Sequence, residues 1–426
     1  MRPLDRIGKI LLEAVVTLLI VFVLTEGALR LAPQLIPPLV LLKDFDAELR
    51  MPIARRLGLQ TRGEVYAIED GDDVELNVYK PRARVRYFFK DPGIVNAMVM
   101  DGTGFCNSGR DTYERDHIAT LALGDSLTWC TAVHPEDTWV SQLGTRAGRG
   151  VYNLGVPGVG VYQHLRIFQH FGLVKSPEAV ILAVYEGNDL RDAVRYLDER
   201  RLARSGEARR KREEPPCTLP SLACPVYHWM RDGFIGRYSY AYNLVVAGAR
   251  RGRNWLALRA APVEQGNAFT NFRFSVAGLN GERTPFNDDS RDLDEPLYAQ
   301  RIQDGEVSFA VFDEALETFT ELARTARFAP IVLYVPSAHT AYQAHRSFAD
   351  PRLAALLEEY SARQRQYFRQ KSTELDYTFI DPTAYLQNLA TCFRSSGNLL
   401  YYQSNLHLTA YGHAALAEYL APSLKQ

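Results

Sequence analysis

Five short apolar runs, each closed by a turn and separated by stretches of helical character, constrain this chain most. They are Ile118-Ala119-Thr120-Leu121-Ala122-Leu123 with Gly124, Gly150-Val151-Tyr152-Asn153-Leu154, Ala179-Val180-Ile181-Leu182-Ala183-Val184-Tyr185, Ile331-Val332-Leu333-Tyr334-Val335 and Tyr377-Thr378-Phe379-Ile380-Asp381. A strand that is apolar at successive positions has both faces covered, which is the mark of a parallel sheet between helical layers. The alternation predicts an α/β fold with a parallel, doubly wound five-stranded sheet. Helices are expected over 136–147, 161–172, 306–328 and 350–372. Sheets of this kind hold ligands at the carboxyl ends of their strands, so the turns there are where chemistry is sought.

Those turns carry distinctive residues. The first strand runs into Gly124-Asp125-Ser126-Leu127, which sets a serine hydroxyl between a strand and the following helix. Most serines at such turns cap a helix; free N–H groups there also favour developing negative charge. The second strand leads into Asn153-Leu154-Gly155-Val156-Pro157-Gly158-Val159-Gly160, where glycines let a backbone N–H approach a ligand closely. Neither a phosphate-loop Lys-Ser/Thr nor a complete Gly-x-Gly-x-x-Gly is present, which argues against nucleotide binding. The third strand is followed by Glu186-Gly187-Asn188-Asp189. Asn188 either satisfies its turn or offers an uncharged donor to an oxyanion. Far downstream, Ser404-Asn405-Leu406-His407 precedes an apolar helix from Ala414 to Leu420. A serine hydroxyl needs an adjacent base, and His407 is the candidate. His413 falls in that helix's first turn.

Taken in chain order, Gly-Asp-Ser-Leu at Ser126, Gly158, Gly-Asn-Asp at Asn188 and the late His407 resemble the SGNH (GDSL-type) hydrolase superfamily, over about 117–420. Asp101-Gly102-Thr103-Gly104-Phe105-x-Asn107 and Glu26-x-x-Leu29-Arg30 resemble segments of its membrane-anchored bacterial members. The resemblance implies a three-layer α/β/α fold with a flavodoxin-like sheet. It implies Ser126 as nucleophile, His407 as general base and then acid, and an oxyanion hole from Ser126 N–H, Gly158 N–H and the Asn188 amide. The family's triad Asp is absent, because Ser404 and Asn405 stand at its positions. Asn405 could hold the imidazole through its side-chain carbonyl but brings no charge, and in a serine protease Asp-to-Asn costs roughly 10⁴-fold in turnover. A Ser–His dyad, a carboxylate from elsewhere, or a degenerate site that binds carbohydrate or scaffolds a complex all remain open.

Charge and cysteine content narrow the setting. Forty-nine basic against 50 acidic residues give a net charge of −1, so no global field draws the chain to nucleic acid. The basic run around Arg200-Arg201 and Arg209-Arg210-Lys211-Arg212 is interleaved with glutamates and reads as a solvated face. Residues 10–32 are mostly apolar and follow Arg2, Arg6 and Lys9, enough for a bilayer span of roughly 20 residues with the amino terminus cytoplasmic. A cleaved signal peptide and a buried core helix are the competing readings. Cys217 and Cys224 bracket a Pro-containing loop that suits a local disulfide, which leaves Cys106, Cys130 and Cys392 with an odd thiol. No Cys/His spacing suggests zinc, and no metal or cofactor is expected.

The organisation expected is a signal anchor over 1–33, a juxtamembrane and extended lead-in over 34–116, and an SGNH-like domain over 117–426. An insertion at about 190–305 is too long for one crossover and reads as a cap over the catalytic face. The function expected is a serine-dependent esterase or O-acyltransferase of the periplasmic face of a bacterial inner membrane. Its partners would be the membrane, through the helix, and an acylated glycan or lipid.

Overall fold

The computed structural model describes residues 3–61, 63–89, 93–109, 112–205, 233–260, 269, 272–278, 281–287, 293–391 and 399–424. Cys217, Cys224, Cys392 and the basic run at 209–212 lie outside them. The chain forms two compact units: 1–62 with 86–90 and 212–266, and 63–85 with 91–211 and 267–426.

The second unit holds the five-stranded sheet. Its strands are β1 (Thr120–Leu123), β2 (Val151–Asn153), β3 (Ala179–Tyr185), β4 (Ala329–Val335) and β5 (Thr378–Ile380), all parallel, in the order β5-β4-β3-β1-β2. This is the doubly wound order of flavodoxin-like sheets, and it reverses between β1 and β3. Every expected strand is present.

The period of two along each strand sorts its residues into the two flanking layers. Leu121 and Leu123 of β1, with Val180, Leu182 and Val184 of β3, pack with Leu165, Leu316, Phe319 and Phe368 from the helices Val161–Ile167, Asp313–Ala326 and Arg352–Leu375. Ala122, Ile181 and Ala183 face the other way, onto Trp139, Leu143, Leu386 and Leu416 from Trp139–Ala147, Thr383–Ala390 and Ala410–Leu420. The architecture is therefore α/β/α. Asp313–Ala326 shows the logic locally: Ala315, Leu316, Phe319, Thr320 and Ala323 are buried at helical spacing, acids open the helix, and a left-handed Arg327 closes it.

The first unit contains the helix Pro3–Leu31. Leu12, Leu18 and Leu24 are 65%, 68% and 67% exposed, so this is not a core helix. Leu12–Leu31 is long and apolar enough to cross a membrane. The lead-in departs from the extended chain expected of it: Pro38–Asp44 and Ala47–Arg56 are helices. Their periodicity is short, but Leu41, Phe45, Leu49 and Ile53 gain burial by packing with Leu29, Ile36 and Ala241. That last residue belongs to the insertion, whose helices Phe234–Tyr238 and Tyr240–Ala260 are part of this unit. The rest of the insertion, up to 211 and from 267, belongs to the sheet unit. There Phe274–Ala277 pairs with Arg283–Phe286 and with Arg346–Phe348. The residues of the insertion are thus divided between the two units.

Candidate active site

The nucleophile turn is built by exclusion and hydrogen bonding. Gly124 has no room for a side chain, since a Cβ there would lie 2.1 Å from Thr128 Oγ1 and 3.2 Å from Ala183 Cβ. The Asp125 carboxylate accepts the Leu127 N–H at 2.8 Å, and its carbonyl accepts the N–H groups of Thr128 and Trp129. Ser126 is left half-buried with its Oγ beside the cavity. Burial pushes the Asp125 carboxyl up to about 6, helped by the charge of Asp192.

The turn after β2 is pinned from the lead-in. Asn153 donates to Thr128 O at 2.8 Å and accepts the Gly155 N–H at 2.8 Å. Asn107 donates to Asp101 and to Asn153 O, and Asp101 in turn accepts three backbone N–H groups, from Thr103, Gly104 and Phe105. The Asp101–Asn107 motif is thus a brace. A disulfide joins Cys106 of this brace to Cys130, four residues after the serine. The sequence left this pairing open, because two cysteines 24 positions apart are brought together only by the fold. Gly158 lies on this loop with φ +78°, a left-handed conformation suited to glycine, and is not among the residues lining the cavity.

Asn188 caps the helix Asp189–Arg204 at the end of β3 and lines the cavity. Its Nδ2 donates to Asp192 Oδ2 at 3.1 Å. Arg191 grips both oxygens of Asp192 and reaches Asp294 at 2.5 Å.

The Ser126–His407 pair, separated by 281 residues in sequence, is assembled in space: Nε2 lies 2.8 Å from Ser126 Oγ. His407 Nδ1 lies 3.0 Å from the main-chain carbonyl of Asn405. Because a carbonyl only accepts, Nδ1 carries the proton and Nε2 is free to accept from the serine. Asn405 therefore acts through its backbone rather than its side chain, whose Oδ1 takes the His407 N–H at 3.0 Å. The left-handed Leu406, at φ +57°, makes this tight return. Among the described residues no carboxylate bonds the ring. Burial lowers the His407 pKa to about 4, the Asn405 carbonyl opposing part of that fall. His413 serves packing instead. Buried in the first turn of Ala410–Leu420, it accepts the Trp139 N–H at 3.1 Å.

Ser126, Asn188, Asn405 and His407 share a cavity of about 280 Å³ with Tyr185, Arg191, Phe272, Asn287, Asp294, Glu295 and Ser404. Sequence reasoning missed the residues contributed by 272–295. Only the Asp294-Glu295 pair at a helix start hinted at them. The arrangement can deprotonate a serine hydroxyl in a polar cleft at the point where the strand order reverses.

No family model and no curated protein matches this chain. Among solved structures, a lipolytic protein of the G-D-S-L family from Desulfitobacterium hafniense is similar at 14% identity and a TM-score of 0.34, over 72% of this chain and 99% of that one. An acetyl xylan esterase is similar at 11% identity and a TM-score of 0.34, over 72% and 99%. An acetylxylan esterase from Geobacillus stearothermophilus is similar at 10% identity and a TM-score of 0.32, over 73% and 97%. Likenesses this remote do not bear on the chemistry.

Proposed function

We propose that this chain is a serine-dependent ester hydrolase or O-acyltransferase of the SGNH type, held at a membrane by its N-terminal helix. The observation that carries the reading is the 2.8 Å contact between Ser126 Oγ and an unprotonated His407 Nε2 in the cavity. Ser126 attacks the ester carbonyl as His407 takes its proton. The tetrahedral oxyanion is received by the Ser126 N–H group and the Asn188 amide, both of which line the cavity. His407 then protonates the departing alcohol, leaving an acyl-serine. Water or a second hydroxyl completes hydrolysis or transfer by the same base.

The Asn405 carbonyl keeps the productive tautomer and supplies a dipole in place of a carboxylate charge. Turnover is accordingly expected to be slow relative to a full triad. The basic residues before the helix, and the disulfide, support an extracytoplasmic catalytic unit, periplasmic in a bacterial cell. The substrate proposed is an acylated glycan or lipid of the envelope.

Labelling by a fluorophosphonate probe tests this reading. Wild type takes label and hydrolyses p-nitrophenyl acetate, while Ser126→Ala does neither. Equal behaviour of the two proteins would sink the enzymatic reading in favour of a binding protein on the same fold.

A further inference from the structure

Behind the cavity, Glu186, Glu295 and His339 lie fully or almost fully buried, their ligand-type atoms within 4.8 Å of one another. The cluster is satisfied by protein. Arg346 Nη1 lies 3.0 Å from His339 Nδ1, and because a guanidinium only donates, Nδ1 is the acceptor. Nε2 therefore carries the ring proton and gives it to Glu295 Oε1 at 2.8 Å. Both ring nitrogens are thus engaged and neither is open to a metal. Glu186 is likewise engaged at both oxygens, by Thr340 Oγ1 at 2.6 Å and Ser337 N at 3.2 Å.

Glu295 differs from its neighbours because it also lines the cavity that holds Ser126. Its Oε1 accepts twice, from His339 and from Ser337 Oγ at 2.6 Å. The side chain is held by those two bonds in one orientation, and acceptor capacity remains on the carboxylate. The cavity is also lined by the polar Asn287, Asp294 and Ser404 and by the aromatic Phe272. A fixed acceptor in a cavity that is also lined by an aromatic side chain suits a ring bearing free hydroxyl groups: hydroxyls donate to the carboxylate, and C–H groups meet the aromatic side chain. A lipid chain would desolvate the carboxylate and offer no donor to its remaining acceptor capacity, at a cost.

We propose that Glu295 is a specificity-determining residue that accepts hydrogen bonds from free hydroxyl groups of a sugar whose acyl ester lies at Ser126. His339, Ser337 and Arg346 position it. The inference rests on the esterase reading above and narrows its substrate to the glycan class.

The test compares wild type with Glu295→Gln, which retains the shape and the acceptor for Ser337 and His339. A mono-O-acetylated hexose and p-nitrophenyl acetate serve as substrates. Glu295→Gln is expected to lose about tenfold or more in kcat/KM on the sugar ester, mainly through KM, because a hydrogen bond to a charged group is lost. On p-nitrophenyl acetate, which has no hydroxyl to offer, the loss is expected to be at least tenfold smaller, so the ratio of the two kcat/KM values reads the sugar contact. Equal losses on both substrates would mean a structural role, and no loss on either would mean no sugar contact; each overturns the proposal. Saturation-transfer NMR with a methyl hexoside on Ser126→Ala and on Ser126→Ala/Glu295→Gln reads the same contact without turnover. A signal that vanishes with Glu295→Gln supports the contact even if the esterase reading fails, and a signal equal in both proteins overturns it.

Discussion

At the scale of single residues, the site turns on what holds one imidazole. Main-chain capture of His407 Nδ1 fixes the tautomer, and the surrounding packing keeps the ring neutral down to about pH 4. The base is competent only when unprotonated, so kcat/KM should rise with pH through about 4 and be flat by neutrality. An exposed histidine would instead give a midpoint near 6.5. A pH–rate profile decides between the two. Asp125, raised to about 6 by burial, titrates nearby. Asp125→Asn should leave the lower limb in place. A second prediction concerns Asn188, whose amide is held by Asp192, itself gripped by Arg191. Asp192 is a positioning residue: an ionised carboxylate only accepts, so the amide nitrogen must face it and cannot flip. Asp192→Asn removes that constraint and should lower kcat by about tenfold to a hundredfold with little change in KM. In a double-mutant cycle with Asn188→Ala, the double variant should be no worse than Asn188→Ala alone, because the first acts through the second. Additive losses would assign Asp192 a separate role.

At the scale of elements, the placement of His407 depends on the helix that follows it. Thr409 caps Ala410–Leu420 by accepting the Gly412 N–H at 3.1 Å. A Cβ on Gly412 would lie 2.0 Å from the Leu400 carbonyl oxygen, a backbone atom that cannot swing aside. Gly412→Ala is expected to destabilise the sheet unit by about 2 kcal/mol or more, read as a lowered urea midpoint, and to cost activity with it. The 401–407 segment is also stitched to the insertion hairpin: Asn287 N donates to Gln403 O at 2.7 Å, and Asn287 Nδ2 donates to Phe272 O at 2.7 Å. Asn287 sits at φ +60°, which asparagine tolerates. None of this support was legible from the chain alone. The five strands were, because burial on both faces leaves an unbroken apolar run. The helices over 38–56 were not, because seven- and ten-residue helices carry too few turns for periodicity to emerge, and their stability comes from packing in the first unit.

At the scale of the whole molecule, the N-terminal helix and the disulfide set the conditions under which the fold exists. A chain begun at Glu26 retains the carboxylate that accepts from Ser239 Oγ and Ala241 N and loses most of the exposed apolar stretch. It should leave the membrane fraction on centrifugation while keeping esterase activity. Continued sedimentation with membranes would place the attachment elsewhere. Reducing the Cys106–Cys130 bridge, which closes a separation of 24 residues, should cost about 3 kcal/mol of stability. Denaturation with and without reductant measures it. Strand positions, the serine turn and the histidine proposed as base were determined by sequence alone, since each is a local pattern of burial, glycine and residue chemistry. Which atom orients His407, which cysteines pair and which wall faces the serine were decided only by the tertiary structure. Those contacts join residues from 2 to 281 positions apart. The nearest of them depends on a left-handed turn at Leu406 that no residue preference announces.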